Sequence, residues 1–237
     1  MSRPTPLMEQ YQEIKERHQN AILFFRMGDF YEMFYEDAEI ASRALGLTLT
    51  SRNNGGASAV PLAGVPVRAV SEYLRRLVQQ GFRVAICEQM EDPKLAKGIV
   101  RREVIETVTP GAAFSDDLLD GVRNNFLCAL QLIGDVAGIS AVDVSTGEFR
   151  LVLARSRDAD AVLARLSPRE IIIPAGNAAA ASLAGALGAL LTEREAWEFE
   201  EERAERVLTD HFAVSSLEGF GIAPEDGPAV GAAGALT

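Results

Sequence analysis

A break in the sequence pattern between residues 109 and 125 constrains the fold of this chain more than any other feature. Thr109-Pro110-Gly111 has the composition of a turn, and the Asn124-Asn125 pair precedes a new apolar run. At about 100–200 residues per domain, a chain of 237 residues is long enough for two domains with separate hydrophobic cores. We therefore predict a two-domain α/β protein, with domains over residues 1–115 and 116–237.

The first segment mixes helical and strand-like patterns. Apolar residues recur at helical spacing after Pro6, from Tyr31 and from Val70, and short apolar or β-branched runs alternate with them. The predicted helices cover residues 7–14, 31–45 and 70–78, and the predicted strands cover residues 22–26, 47–51, 82–87 and 99–108. Loops are predicted at residues 53–56 and 64–66, where Asn, Gly and Pro cluster.

The second segment opens with three runs that are typical of a β-meander. Tight-turn residues join these runs at Gly134-Asp135 and at Ser145-Thr146-Gly147. The predicted strands cover residues 126–133, 138–144, 148–154 and 170–173, and the predicted helices cover residues 159–166, 178–190 and 198–211. Residues 231–237 are apolar and carry no charge, which suggests a segment cut from a longer protein.

The charge is distributed unevenly along the chain, although the net value is −11. Residues 1–115 contain 14 basic and 14 acidic residues, whereas residues 116–237 contain 9 basic and 20 acidic residues. Between Arg43 and Arg102 there are ten basic and four acidic residues, a net charge of +6. A polyanion such as DNA would be attracted by this window and repelled by the second segment.

Signatures of common enzyme classes are absent from the sequence. It contains no phosphate-binding G-x-x-x-x-G-K-[ST] loop, no G-x-S-x-G nucleophile elbow and no H-E-x-x-H metal motif. The two histidines, His18 and His211, lie in different segments, and Cys87 and Cys128 lie in apolar runs that predict core positions. Because there is no signal core and no apolar run of about 18 residues, a cytoplasmic protein is expected.

The segment RMGDFYE at residues 26–32 is a candidate binding element. A strand is predicted to end before Gly28, and a helix is predicted to start near Tyr31 with Asp29 as its N-cap. The intervening turn would project an aromatic ring, Phe30, and a carboxylate two positions further on, Glu32. The alternative is that Phe30 simply packs on the helix that it precedes.

An exposed aromatic ring can test how firmly two bases are stacked. Base–aromatic stacking is worth about 1–3 kcal/mol, whereas unstacking costs a few kcal/mol in paired DNA and less at a defective pair. Such a ring would prefer mispaired sites without reading the sequence. A neighbouring carboxylate repels the phosphates of paired duplex but can hydrogen-bond a displaced base. Phosphates and partial burial would raise the pKa of Glu32, so that its protonated form could donate.

Four motifs follow one another along the chain: GDFYEMF at residues 28–34, PLAGVP at 61–66, AICEQ at 85–89 and VTPG at 108–111. In this order they resemble the N-terminal part of the MutS family of DNA mismatch repair proteins. The resemblance implies that Phe30 is the base-stacking wedge and that Glu32 hydrogen-bonds the base. It also implies a mixed α/β mismatch-binding domain over residues 1–115, followed by an RNase H-like connector domain that is truncated at its C-terminal end.

The resemblance further implies partners and cofactors. Mismatched duplex DNA would be the ligand, and the connector would help to bind the matchmaker protein MutL. The full-length parent would be a homodimer whose ATPase domain, beyond residue 237, binds ATP and Mg²⁺, so no cofactor is expected in this segment. The segment itself would be a binding module rather than an enzyme, could be monomeric, and would act in the bacterial cytoplasm at the nucleoid.

Basic residues of the +6 window are predicted to contact DNA phosphates. Arg52 lies beside the Asn-Gly loop, and Arg68 follows the PLAGVP motif. Phosphate contacts of this kind position a protein on the duplex without specifying its sequence. A second basic group comprises Lys94, Lys97, Arg101 and Arg102.

Two other functions are compatible with the sequence. A metal-dependent nuclease on the second segment would need carboxylates that converge on two Mg²⁺ ions. Asp143 would be the first of them, unless it is an ordinary residue beside a turn, and Asp135, Glu148 and Asp158 are candidates for the others. Alternatively, the segment acts mainly as a protein-docking unit for MutL.

Overall fold

The computed structural model describes residues 4–54, 57–93, 95–96, 98–112 and 124–237, with the side chains of residues 53–58 excepted. The chain forms two compact units, Met1–Thr109 and Pro110–Thr237. The predicted boundary between residues 115 and 116 lies outside the described residues. Each unit combines helices with a sheet, and the predicted two-domain α/β fold class is therefore confirmed.

The first unit is built on one mixed sheet. Its described strands are β1 (Ile22–Met27), β2 (Phe30–Phe34), β3 (Thr50–Asn54), β4 (Ala57–Pro66), β5 (Val84–Gln89) and β6 (Arg102–Val108). Its described helices are α1 (Pro6–Arg17), α2 (Tyr35–Leu45) and α3 (Val70–Gln79), and a 3-10 turn covers Val67–Ala69. The strand order is β3-β4-β2-β1-β5-β6, in which β1 and β5 are parallel and the other neighbours are antiparallel.

Helix α1 shows how the apolar pattern of the sequence is used. It begins at Pro6, whose missing N–H costs nothing in the first turn of a helix. Met8, Tyr11 and Ile14, one turn apart, are buried on the side that faces the sheet. The Tyr11 ring meets the Phe25 ring edge-on, with 5.4 Å between the centroids. The helix predicted after Pro6 is therefore confirmed, as is the helix predicted from Val70.

Residues 30–34 form strand β2, so the predicted helix from Tyr31 with Asp29 as its N-cap is wrong over this stretch. The strand pairs with β1 on one side and with β4 on the other, which satisfies its backbone groups in both directions. Tyr31 and Met33 are buried on one face, as the strand period of two requires. Helix α2 begins only at Tyr35. From Tyr35 to Leu45 the predicted helix is confirmed.

Other boundaries in the first unit also differ from the prediction. Strand β4 continues through residues 64–66, so the predicted break there is wrong. Strands β3, β5 and β6 each begin two or three residues later than predicted. Of the predicted loop at residues 53–56, the first two residues belong to β3, and Gly55 and Gly56 lie outside the described residues. Asn, Gly and Pro residues that favour turns therefore lie within strands β3 and β4.

The second unit has its own sheet. Its described strands are β7 (Phe126–Ile133), β8 (Val136–Asp143), β9 (Glu148–Arg155), β10 (Glu170–Pro174) and β11 (Leu190–Arg194). Its described helices are α4 (Ala159–Leu166), α5 (Ala178–Ala186), α6 (Glu201–Phe212) and α7 (Gly227–Gly234). Short 3-10 turns cover Ser156–Asp158, Ala196–Phe199, Glu218–Phe220 and Pro224–Asp226.

The predicted β-meander is confirmed, because β7, β8 and β9 are consecutive antiparallel neighbours. The sheet order is β11-β10-β7-β8-β9, with β10 parallel to both β7 and β11. This order agrees with the RNase H-like sheet that the family resemblance implies. The prediction missed β11, whose residues are only partly buried at the edge of the sheet.

Helix α7 was also missed, because its Gly, Ala and Pro residues lack an amphipathic pattern. It is buried on almost every side, and its backbone packs closely on strand β8. A Cβ atom at Gly138 of β8 would overlap the backbone of Pro228 and Ala229. The small residues near the end of the chain therefore form part of a core and not an apolar tail.

We expect the substitution Gly138→Ala to lower the free energy of unfolding by about 1–3 kcal/mol, because the backbone of α7 must move to admit a methyl group. Chemical denaturation measures this change. Gly185→Ala is the matched control: beyond its chain neighbours and the backbone of its own helix, no atom lies within 4 Å of its Cβ position. Alanine there should stabilise α5 by about 0.5–1 kcal/mol. Equal stability of Gly138→Ala and wild type would contradict the close packing.

None of the described helices combines the length and apolar character that are needed to cross a bilayer.

Candidate nucleic-acid interface

Phe30 is an exposed aromatic residue of the hairpin formed by β1 and β2. It is the first residue of β2 and lies opposite Met27 of β1 and Pro66 of β4. Its side chain is 47% exposed, whereas the next residue, Tyr31, is 4% exposed. The ring is therefore open to solvent at one end of the sheet, as the sequence predicted, although it projects from a hairpin and not from a strand–helix turn.

The turn that precedes Phe30 is fixed by hydrogen bonds on both sides. Gly28 adopts a φ of +58°, a conformation that favours glycine in a tight hairpin. The Arg26 Nε atom donates to the Gly28 carbonyl oxygen at 2.6 Å, and the Val67 N–H donates to the Asp29 carbonyl oxygen at 2.9 Å. These bonds limit how far Phe30 can retreat when a ligand presses on it.

Glu32 lies on the same face of β2 as Phe30, because side chains two residues apart share a face. Its neighbours across the sheet are Phe25 on β1 and Gly64 on β4. A Cβ atom at Gly64 would lie 3.8 Å from both the Phe30 Cδ1 and the Glu32 Cγ atoms. Because Gly64 has no side chain, the space between the Phe30 ring and the Glu32 side chain stays unfilled at this position.

The Glu32 carboxylate is partly buried and is paired with an arginine. The Arg52 Nη1 atom donates to Glu32 Oε2 at 3.0 Å, so the structure joins two residues that the sequence predicted separately. Burial raises the pKa of Glu32, while the positive charges of Arg52 and Arg102 act in the opposite direction. The raised pKa agrees with the direction that the sequence predicted, and it makes protonation easier than in a free glutamate.

Arg102 is not a surface charge, so its assignment to an exposed basic group is wrong. It is 7% exposed, and its Nε atom donates to the Arg26 carbonyl oxygen at 2.7 Å. Its guanidinium lies 4.8 Å from the Phe25 ring centroid, and its Nη1 atom donates to Gln10 Oε1 at 3.1 Å. Arg102 therefore supports the end of β1 from inside the unit.

The other predicted basic residues have different surroundings. Arg68 is exposed on the 3-10 turn that follows Pro66, at the same end of the sheet as Phe30. Arg101 is exposed and lies 3.3 Å from the carboxylate of Glu103. Lys94 and Lys97 lie outside the described residues. Of the predicted phosphate contacts, Arg68 thus lies at the end of the sheet that bears Phe30, and Arg52 lies against Glu32.

A second cluster braces the hairpin from the opposite face of the sheet. The Tyr31 hydroxyl donates to Glu88, and the Arg26 Nη1 atom lies 3.2 Å from Glu88 Oε1. Burial, followed by the hydrogen bond to Glu88, raises the pKa of Tyr31 to about 12. Glu88 lies within the AICEQ motif, but no local signal in the sequence indicates this role.

The carboxylate of Asp143, the first candidate nuclease ligand, is used in a turn. It accepts hydrogen bonds from the Asn125 N–H at 3.0 Å, the Ser145 N–H at 3.0 Å and the Ser145 hydroxyl at 2.6 Å. Burial by itself would raise the pKa of Asp143, but these hydrogen bonds outweigh it and hold the pKa below its usual range. Asp143 is thus a buried residue that stabilises the turn between β8 and β9.

The other candidate nuclease ligands do not converge on Asp143. Asp135 and Asp158 lie at the opposite end of β8, roughly 23 Å away at about 3.3 Å per residue. Glu148 is opposite Asp143, but it is bonded to the Asn124 amide at 2.7 Å. In the part of the chain that the structure describes, no three His, Cys, Asp or Glu residues form a group that could hold a metal ion. The geometry of these residues therefore gives no support to a nuclease.

Comparisons with known proteins assign both units. A family model described as MutS domain I matches residues 5–117, and one described as MutS domain II matches residues 125–237. Relatives that carry the name DNA mismatch repair protein MutS match almost the whole chain. The relative from Chlorobaculum tepidum is 48% identical over 92% of this chain, that from Solibacter usitatus 46% over 98%, and that from Desulfatibacillum aliphaticivorans 47% over 100%.

The length of these relatives defines what the chain represents. The chain spans 26–27% of the length of each of the three relatives. Within that share, the two matched domains follow one another in the same order as the two units of the structure. The chain therefore belongs to the MutS family and comprises its domains I and II.

Proposed function

We propose that the first unit recognises mispaired or unpaired bases in duplex DNA. Phe30 stacks on a base at the defective site, and Glu32 hydrogen-bonds the displaced base. The observation that supports this most directly is the exposed Phe30 ring beside the Glu32 carboxylate, with Gly64 leaving the space between them open. The name of the relatives, DNA mismatch repair protein MutS, points to the same task.

Discrimination arises from the balance between stacking and unstacking. Stacking of a base on the Phe30 ring stabilises the complex by about 1–3 kcal/mol. Opening a correctly paired step costs a few kcal/mol, and opening a mispaired step costs less. The balance is therefore favourable at a defective pair and unfavourable elsewhere. The hydrogen bonds that fix the Gly28 turn keep the ring in place, so that the duplex and not the protein yields.

Glu32 adds a second level of selection. An ionised carboxylate repels phosphates and gains nothing from a base that stays in the stack. At a displaced base it can accept a hydrogen bond, and its raised pKa also favours the protonated form, which donates one. Glu32 thus lowers the affinity for paired duplex and raises the affinity for a site with a displaced base.

Arg68 and Arg52 supply contacts to the phosphates around the wedge. Both extend from the end or edge of the sheet that bears Phe30, and phosphate contacts of this kind orient a protein without reading bases. Each phosphate that is neutralised makes binding more sensitive to salt. These residues therefore position the ring, while Phe30 and Glu32 contact the base.

The second unit serves as a connector and as a docking surface for MutL. Its match to MutS domain II and its excess of acidic residues suit a protein partner better than DNA. In the full-length homodimer it links mismatch binding to an ATPase domain that holds ATP and Mg²⁺. The two units together act as a binding module without catalysis of their own.

We expect Glu32→Ala, in a full-length MutS protein that carries these two units, to keep or slightly raise the affinity for paired duplex. The affinity for a G·T duplex should fall about five- to tenfold, because one hydrogen bond worth about 1 kcal/mol or slightly more is lost. A competition titration with both duplexes measures the ratio. Glu36→Ala removes an exposed carboxylate from α2 and serves as the control. A tenfold loss of affinity for paired duplex would instead show that Glu32 is structural.

A further inference from the structure

The ion pair between Arg52 and Glu32 lies at the surface and spans three strands. Arg52 extends from β3, the edge strand, and its guanidinium reaches across β4 to the carboxylate on β2. The Arg52 side chain is 39% exposed and that of Glu32 is 21% exposed, so a ligand at Phe30 would have access to both. The pair therefore occupies the place where the proposed base contact must form.

In the described part of the chain, Arg52 is held less firmly than Arg102, the other cation near Glu32. Among the described residues, the neighbours of Glu32 are Arg52 on β3, Phe25 on β1, Gly64 on β4 and the charge of Arg102 on β6. Arg102 is buried and bonded to backbone and side-chain oxygens, which fixes its position. Arg52 makes one hydrogen bond to Glu32, and a phosphate offers its guanidinium a competing bidentate acceptor.

We propose that Arg52 moderates the preference for mismatched duplex by acting as a latch on Glu32. On paired duplex, Arg52 stays on the carboxylate and weakens, without abolishing, its repulsion of the phosphates. At a defective pair, where Phe30 enters the stack, Arg52 passes to a phosphate and Glu32 is released to the displaced base. The inference rests on the proposed function and adds a residue that decides when Glu32 acts.

The latch and a plain phosphate contact predict different effects of neutralising Arg52 on the preference for mismatched over paired duplex. Without Arg52, the ionised Glu32 faces the phosphates of every duplex. The complex with paired duplex then loses the attraction of the Arg52 charge and also the shielding of the Glu32 carboxylate. The mismatch complex loses the phosphate contact alone and no longer has to break the ion pair. The preference for mismatched over paired duplex should therefore increase when Arg52 is neutralised.

A double-mutant cycle tests this in a full-length MutS protein that carries these units. The affinities for G·T and paired duplexes are measured for wild type, Arg52→Gln, Glu32→Gln and the double variant. Arg52→Gln should raise the G·T-to-paired ratio about three- to fivefold, the size expected for an exposed ion pair. In the Glu32→Gln background the same change should lower both affinities equally. Arg68→Gln, the matched control, should lower both affinities equally in either background.

A second readout needs no DNA. A carboxyl NMR titration should show a higher pKa for Glu32 in Arg52→Gln than in wild type, because a stabilising positive charge is lost. Arg68→Gln should leave the pKa of Glu32 unchanged, and Arg52→Lys should restore part of the wild-type value. An unchanged pKa in Arg52→Gln would overturn the latch.

The binding data separate failure of the latch from failure of the proposed function. If wild type prefers G·T duplex but Arg52→Gln lowers both affinities equally in both backgrounds, Arg52 is a simple phosphate contact and the latch is overturned. If wild type shows no preference for G·T duplex, the proposed function is itself overturned. A change of ratio that disappears in the Glu32→Gln background supports both.

Discussion

Replacing Phe30 by alanine in a full-length MutS protein that carries these units should abolish its preference for a G·T duplex over a paired one. Phe30 is 47% exposed, so the substitution removes a stacking surface and leaves the core of the unit intact. The lost stacking of about 1–3 kcal/mol corresponds to a decrease of about 5- to 150-fold in mismatch affinity. Competition titration with labelled G·T duplex against unlabelled paired duplex measures the change.

A matched aromatic substitution controls for general effects of removing a surface ring. Phe220 of the second unit is 59% exposed, and Phe220→Ala should leave the mismatch ratio at its wild-type value. The affinity of Phe30→Ala for paired duplex should change little, because the ring does not enter a fully paired stack. Equal discrimination by Phe30→Ala and wild type would remove Phe30 from the account.

The second large effect is expected from Asp37→Ala, which should lower the free energy of unfolding of the first unit by about 2–3 kcal/mol. Asp37 is 4% exposed and connects three elements. It accepts hydrogen bonds from the Tyr11 hydroxyl at 3.1 Å, the Leu23 N–H at 3.0 Å and the Lys15 ammonium at 2.8 Å. Its removal leaves the buried Leu23 N–H without this acceptor, and a buried unpaired donor is costly. The Tyr11 hydroxyl keeps the Phe34 carbonyl oxygen at 3.3 Å, and the Lys15 ammonium keeps the Ala21 carbonyl oxygen at 2.7 Å.

Chemical denaturation of the chain, followed by a probe in the first unit such as tyrosine fluorescence, measures this loss. Glu36→Ala changes the neighbouring exposed carboxylate and should alter stability by no more than about 0.5 kcal/mol. A loss of less than about 1 kcal/mol for Asp37→Ala would show that the buried charge is not needed to hold α1, β1 and α2 together.

Elements with a strong local pattern could be predicted from the sequence. The apolar positions of α1 and α3 recur at helical spacing, and the three strands of the meander alternate between tight turns. In each case the residues that decide the structure lie close together in the chain. The same local information predicted that Cys87 and Cys128 belong to the core, and both are buried.

Elements whose structure depends on distant partners could not be predicted in this way. Residues 30–34 are a strand because β1 and β4 supply hydrogen bonds on both sides, and β4 lies about thirty residues further along the chain. Helix α7 has no polar face, because the close approach of β8 at Gly138 requires small residues around it. Tertiary packing overrides local propensity at both places.

The candidate site shows the same division. The sequence predicted that Phe30 and Glu32 lie close together, but at a turn before a helix. In the structure both belong to strand β2, where residues two apart share a face. The pairing of Arg52 with Glu32 was not predicted, because it depends on the order of β3, β4 and β2 in the sheet. The burial of Arg102 likewise follows from the position of β6 beside β5.

A structure of a full-length MutS protein that carries these units, bound to a duplex with one G·T mismatch, tests the central claim most directly. We expect the Phe30 ring to stack on one of the two mispaired bases, with the Glu32 carboxyl within hydrogen-bond distance of that base. A mismatch held by other residues, with Phe30 in solvent or against the protein, would contradict it.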